Sequence, residues 1–293
     1  MNKPYFAGYY FKYQTAERTF AFIIGKSSGV KPRGKPSCVK SRGKPSSSFT
    51  FTQVITDNGA YYFNGCGGCR FTHKGAAIDI DNGQVCIKGY VEHGELTPLK
   101  YDIMGPFRYI GGLLECRHEI VSMRHSLRGW LSVNGEEFNL NNGVGYIEGD
   151  SGVSFPKRYL WAQCNFPGDC SISLSVADIP FMGIGFTGCI CAVYYEGKEY
   201  RLATYRGVKI VHCTPARVIL RQGRYTLDVA ISPRVGQRLA APRNGKMSRT
   251  IRECIACPMR ARFYEGRRLV FEQNSPRGSF ECAGVFQMEK ISP

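Results

Sequence analysis

Three residues at alternate positions, Tyr146, Glu148 and Asp150, carry the first chemical signal in the chain. Side chains of an extended segment repeat with period two, so all three share one face. Two carboxyls beside a phenol on one face suit proton transfer in a dry pocket. Burial raises a carboxyl pKa, so the acid keeps its proton near neutral pH and can then give it up. Tyr159 and Trp161 follow closely, and aromatic faces stabilise a cation formed by such a protonation. A plainer use of the same residues stays open. Glu148 and Asp150 could pair with Lys157 and Arg158 to pin a turn whose backbone Pro156 fixes, leaving Trp161 as core. His125, upstream of the set, either donates a proton or satisfies a backbone carbonyl. No nucleophile elbow or local triad pattern occurs.

Other motifs carry less. Gly183-Ile184-Gly185-Phe186-Thr187-Gly188 matches the dinucleotide fingerprint letter for letter. That fingerprint needs a helix N-terminus after it to receive the pyrophosphate, whereas Cys189 to Tyr195 reads as a strand. Cys66-Gly67-Gly68-Cys69 and Cys254-Ile255-Ala256-Cys257 have metal-like spacing but lie far apart, with no histidine at finger spacing after either. We therefore expect no metal, and read the thirteen cysteines as reduced thiols used as small hydrophobes.

The elements that must position these residues are strands. Asn-Gly recurs at 58, 64, 82, 134, 142 and 244, a strong hairpin signal because both residues tolerate positive φ. Segments such as Ala77-Ile78-Asp79-Ile80-Asp81 and Ile172-Ser173-Leu174-Ser175-Val176 alternate with period two, and no long 3.6-residue period appears. Many short strands with regular turns predict an all-β protein of antiparallel barrels or sandwiches with little helix. We place the N-terminal domain at 1–142 and the C-terminal domain at 143–293. Residues 26–48 break the pattern: Val30-Lys31-Pro32-Arg33-Gly34-Lys35-Pro36-Ser37 recurs almost intact as Val39-Lys40-Ser41-Arg42-Gly43-Lys44-Pro45-Ser46. Composition there predicts a disordered basic insertion.

The net charge is +16, concentrated in that insertion and in 234–277, where eleven basic residues meet three acids. Such a field attracts polyanions or an anionic membrane surface, or is merely solvated. The start of the chain shows no apolar signal segment. The uncharged run 179–195 is broken by Pro180 and glycines and is shorter than the ~20 residues of a membrane helix. These features lead us to expect a cytoplasmic protein, peripheral to a membrane at most, and leave its oligomeric state open.

The stretch from Gly145 to Asn165, GYIEGDSGVSFPKRYLWAQCN, resembles the signature of the tocopherol cyclase family, which runs Tyr-x-Glu-Lys-Asn/Asp-Trp-Gly-x-x-Phe-Pro and then Trp-x-Gln-Cys-Asn. The openings Gly8-Tyr9-Tyr10-Phe11-Lys12 and Gln53-Val54-Ile55-Thr56 also resemble the family's first strands. The resemblance implies two lipocalin-like barrels, a lipophilic small molecule as partner, no metal or organic cofactor, and closure of a chromanol ring from a prenylated hydroquinone. In that reaction an acid protonates a trisubstituted alkene, and a phenol oxygen captures the tertiary cation in a pocket that excludes water. Asp150 and Glu148 become the candidate acids. Tyr146, Trp161, Tyr159, Phe155, His125 and Trp130 become candidate substrate-binding residues. This chain departs from the signature at Gly149, where the family has lysine, and at Ser151, where it has tryptophan. Two other readings stay beside the enzyme: a non-catalytic carrier or sensor using the same cavity, and a nucleic-acid or anionic-membrane binder using the basic face. Of these partners, nucleic acid fits least.

Overall fold

A computed structural model describes residues 5–28, 48–65, 68–181, 184–284 and 288–289. β1 (Phe6–Gln14), β2 (Thr19–Ser28), β3 (Ser48–Thr56) and β4 (Ala60–Asn64) form a meander. β5 (Arg70–Thr72), β6 (Gly75–Asp81), β7 (Cys86–His93) and the long β8 (Cys116–Val133) form a second, β9 (Glu136–Asn139) folds back on β8, and β10 (Val144–Gly152) returns to pair with β1. The resulting antiparallel order is β4-β3-β2-β1-β10-β8-β7-β6-β5. β8 pairs with β10 along its first part and with β7 and β9 along its second. Gly129 in its second half has φ 121°, and a Cβ there would lie 2.0 Å from the Tyr90 carbonyl oxygen.

The second sheet repeats this plan. β11 (Tyr159–Phe166), β12 (Cys170–Phe181), β13 (Ile184–Tyr195) and β14 (Lys198–Ala203) run outward, while β15 (Lys209–Thr214), β16 (Arg217–Gln222) and β17 (Tyr225–Ile231) return from the far edge. β18 (Gln237–Arg243) folds onto β19 (Lys246–Glu265), and β20 (Arg268–Ala283) pairs with β11 as β10 pairs with β1. The order is β14-β13-β12-β11-β20-β19-β17-β16-β15, with the short β21 (Met288–Glu289) beyond β15. The hairpin tips follow the expected chemistry: Asn134-Gly135, Asn244-Gly245 and Glu196-Gly197 all have positive φ at both residues.

Each sheet encloses its own apolar cluster. Phe11, Phe22, Val54, Ile87 and Leu131 belong to the first, and Leu160, Leu174, Leu220 and Phe263 to the second. A third cluster, which includes Tyr10, Ile120, Tyr146, Trp161, Leu239 and Ile251, takes residues from both sheets. Alternation explains this division: odd positions of β1 face one cluster and even positions the other. The two sheets meet through buried polar pairs. Lys12 Nζ donates to Gln163 Oε1 at 2.9 Å and to the Arg277 carbonyl at 3.0 Å, Gln14 Nε2 to the Asn165 carbonyl at 3.0 Å, and Gln53 Nε2 to the Ala240 carbonyl at 2.9 Å.

The all-β expectation is met, and the structure adds detail to the boundaries. β10 pairs with β1 and β8 throughout, so the change of sheet falls within 153–158 rather than at 142/143. Residues 26–28 continue β2 and pair with 48–50 of β3, so the ends of the expected 26–48 insertion are strand; 29–47 lie outside the described residues. Ile184 to Tyr195 is one strand, which leaves the dinucleotide fingerprint without its helix. Among the described residues no helix is long and apolar enough to cross a membrane.

Candidate functional site

A cavity of about 180 Å³ opens between the sheets and is lined from both. β1 supplies Tyr10, β8 His118 and β10 Glu148 and Asp150; β11 supplies Trp161, β19 Glu253 and β20 Glu281. Met104 and Phe107, before and within the 3-10 segment Gly105–Leu113, and Phe155 from the inter-sheet connection add apolar walls.

On the first wall, register places Gly8 opposite Asp150, Tyr10 opposite Glu148, and His118 opposite Asp150. Tyr146, Glu148 and Asp150 do share a face. Tyr146 Oη donates to Glu148 Oε2 at 2.6 Å and also bonds Ser173 Oγ across the seam at 2.9 Å. Trp161 Nε1 donates to the same carboxylate oxygen at 3.2 Å. His118 bridges the two acids, with Nδ1 3.0 Å from Asp150 Oδ1 and Nε2 3.6 Å from Glu148 Oε2. Burial alone would pull the imidazole down, but the carboxylates of Glu148 and Asp150 outweigh it and hold His118 at about 9. Burial pushes Glu148 up to about 7 against the pull of His118. His118 thus carries the positive charge, and Glu148 gains and loses its proton around neutrality.

On the second wall, Trp161, Glu281 and Glu253 lie abreast on adjacent strands. Tyr10 Oη reaches across to donate to Glu253 Oε1 at 2.5 Å. Burial lifts Glu253 to about 8, and lifts Glu281 well above the carboxylate range with the help of the negative charges of Asp150 and Glu148. Lys12, fully buried beside them, is lowered by burial to about 8.

The expected site residues therefore divide. Glu148, Asp150, Trp161, Tyr159 and Phe155 line the cavity. Tyr146 stands one layer behind and holds Glu148. Tyr159 turns one ring face to the Arg249 guanidinium at 5.7 Å, and Phe155 packs edge-on to Phe6 and Tyr159. The pairing of Glu148 and Asp150 with Lys157 and Arg158 does not occur: Arg158 pairs with Asp178 instead. His125 and Trp130 are corrections. His125 packs on His93 with Nδ1 at Ser122 Oγ, away from the cavity, because its partner Gly145 lies on the face of β10 opposite Glu148 and Asp150. Trp130 is 43% exposed, opposite Tyr90 on β7. Ser151 and Gly149, where the chain departs from the signature, alternate away from the cavity and do not line it.

Sequence reading missed His118, Glu253 and Glu281. Each sits in a legible strand, but which face it takes depends on pairing with residues far away in the chain, such as Asp150 for His118 and Trp161 for Glu281. The second cysteine pair lies at a bulge of β19, where Cys254 and Cys257 bond each other and Cys257 Sγ meets the Ser232 carbonyl at 3.1 Å; Cys66 lies outside the described residues. The ligand atoms of His118, Glu148 and Asp150 lie within 4.8 Å of one another, the one such group among the described residues spaced to hold a metal ion. A proton on His118 accounts for the same geometry. Part of the 234–277 charge is paired, Arg262 with Glu272 and Arg268 with Glu265 inside the segment and Arg277 with Asp57 outside it.

These features define a class: an antiparallel lipocalin-like protein with an acid-bearing apolar cavity between two sheets. The tocopherol cyclase-like family model matches residues 113–284, and the chain belongs to that family. It is 32% identical over 85 residues to the probable chloroplastic tocopherol cyclase of Oryza sativa subsp. japonica and 33% identical over 85 to the chloroplastic tocopherol cyclase of Zea mays. Each match covers 27% of this chain and 18% of the plant protein. Among solved structures, CghA crystallised with Sch210972 superposes with a TM-score of 0.58 at 8% identity, over 96% of this chain and 89% of that one. A putative AttH from Nitrosomonas europaea gives 0.50 at 10% identity, over 97% and 93%.

Proposed function

We propose that this chain binds a prenylated quinol or related isoprenoid in the inter-sheet cavity and closes a ring on it by acid-promoted alkene protonation. The observation that carries this reading is the His118–Glu148–Asp150 set opening into an apolar, aromatic-lined cavity. Membership of a tocopherol cyclase-like family supports it, as does a protein of the same fold crystallised with the small molecule Sch210972. A buried carboxyl that holds its proton near neutrality can exchange it with an alkene or a phenol. Tyr10 and Trp161, edge to face with ring centroids 5.6 Å apart, offer π density to the cation that forms. Apolar walls keep water from quenching it.

The test is incubation of the protein with a prenylated benzoquinol, seeking a product of unchanged mass and altered retention, with Asp150→Asn and Glu148→Gln alongside. Product that disappears in either variant, with the fold intact by circular dichroism, supports the reading. Turnover unchanged by a chelator fits a protonated His118, whereas turnover lost to a chelator would place a metal ion at the His118–Glu148–Asp150 group. Saturable quenching of Trp161 by the quinol with no product would instead make the protein a carrier.

A further inference from the structure

Glu253 and Glu281 form a second acid pair that no part of the signature contains. They are direct partners across β19 and β20, where opposed residues of an antiparallel pair have Cβ atoms roughly 5 Å apart. Both are nearly sealed from solvent, 2% and 7% exposed, and both line the cavity. Burial in the same dry cavity disfavours the ionised form of each.

Their surroundings differ. Glu253 accepts the Tyr10 hydroxyl, a bond that partly offsets the burial holding it neutral. Glu281 Oε1 is buried with no hydrogen-bond partner among the described residues. A bare buried carboxylate oxygen is costly, whereas a neutral carboxyl there has an O–H to offer a ligand. The first wall is arranged the opposite way. Glu148 accepts from Tyr146 and Trp161 and faces His118, and Asp150 accepts from His118. Donors aimed at a carboxyl favour its ionised form, the form able to accept a proton, whereas a buried carboxyl without donors stays protonated and so has one to deliver.

Resting on the cyclisation reading, we infer that Glu281 is the proton donor of the site and that the Glu148–Asp150–His118 wall is the acceptor. The Glu281 O–H bond breaks and its proton adds to the less substituted alkene carbon, using the alkene π pair. The phenol oxygen then supplies a lone pair to the tertiary cation, forming the C–O bond. The phenol proton leaves to the Asp150 or Glu148 carboxylate. Between turnovers that carboxyl releases the proton to water and Glu281 takes one up from water, so the ligand is isomerised with nothing consumed. Glu253, held by Tyr10, is the neighbouring carboxyl on β19.

Infrared spectroscopy and turnover test this separately in wild type, Glu281→Gln and Glu148→Gln. A protonated-carboxyl band should be present in the empty wild-type protein at neutral pH and should diminish in Glu281→Gln. That variant should still be quenched by the quinol at Trp161 with affinity within about threefold, while turnover falls by at least about a hundredfold, the lower range for loss of a general acid. A band unchanged by Glu281→Gln, or turnover within about threefold of wild type, overturns the donor assignment while leaving the cyclisation reading standing. No product from the wild type removes that reading and the donor role with it; the band then still decides whether Glu281 is neutral.

Discussion

Replacing Glu253 by glutamine tests whether the cavity is dry enough to hold a neutral acid. Glutamine keeps an oxygen to accept the Tyr10 hydroxyl but removes the ionisable group. In the folded protein Glu253 titrates at about 8 against an ordinary 4.5. Between those values the folded chain keeps a proton that the unfolded chain has lost, so stability falls as pH rises. At about 1.4 kcal/mol per unit, the whole effect approaches ~5 kcal/mol. By about pH 6 some ~2 kcal/mol has accrued, and by about pH 9, beyond the folded value, nearly all of it has. The wild type should therefore lose about 3 kcal/mol more stability than Glu253→Gln between those pH values. His118 and Glu148, both raised, also cost the wild type stability over this range. They remain in the variant, so the difference isolates Glu253. Urea unfolding of both proteins at the two pH values, with the slopes checked for equality, measures it. Equal pH dependence in the two proteins would refute the reasoning, because Glu253 would then ionise as if solvated.

Three further outcomes follow from contacts already described. Trp161→Phe removes a hydrogen bond to a charged acceptor, worth about 1.5–3 kcal/mol, and should shift the limb of the pH–turnover profile due to Glu148 upward; an unmoved profile would make Trp161 plain wall. Arg249→Ala removes the bonds of its guanidinium to the Pro156 and Lys157 carbonyls; stability should drop by about 1–3 kcal/mol and quinol quenching of Trp161 should weaken, whereas unchanged quenching would separate the 153–158 connection from the cavity. His125 is lowered by burial to about 3, so the fold excludes a proton that the unfolded chain binds below its ordinary 6.5, and stability is lost as pH falls through that window. His125→Leu should flatten that acid limb in urea titrations, and an identical limb would count against it.

How much of this was legible in the sequence follows from the range of the interactions. Alternation within β10 is local, so the co-facing set Tyr146, Glu148 and Asp150 could be read from three letters and their spacing. The Asn-Gly tips and the strand-rich class were local too. His118 was not, because its role depends on β8 meeting β10 in one register, which also puts His125 opposite Gly145 on the other face. Glu253 and Glu281 depend on three strands lying abreast and on Tyr10, 243 positions away. Trp130 shows the converse failure: a tryptophan looks like a pocket residue until the pleat turns it outward.

The same register argument bears on the two signature positions this chain lacks. In β10 the cavity side is taken by Tyr146, Glu148 and Asp150, so positions 149 and 151 project to the opposite face. A Cβ at Gly149 would meet Glu119 and Tyr9, not the cavity. Substituting glycine and serine at these positions leaves the acids, the indole of Trp161 and the seam between the sheets untouched. The seam matters more. Lys12, Gln14, Tyr10 and Tyr146 in the first sheet find their polar partners in the second, and leaving such groups unpaired costs more than the bonds return. The sheets are therefore held in one relative placement, and the cavity walls with them. What the departures from the signature can alter is the inner packing of the first sheet, while the chemistry belongs to side chains that two copies of one topology bring face to face.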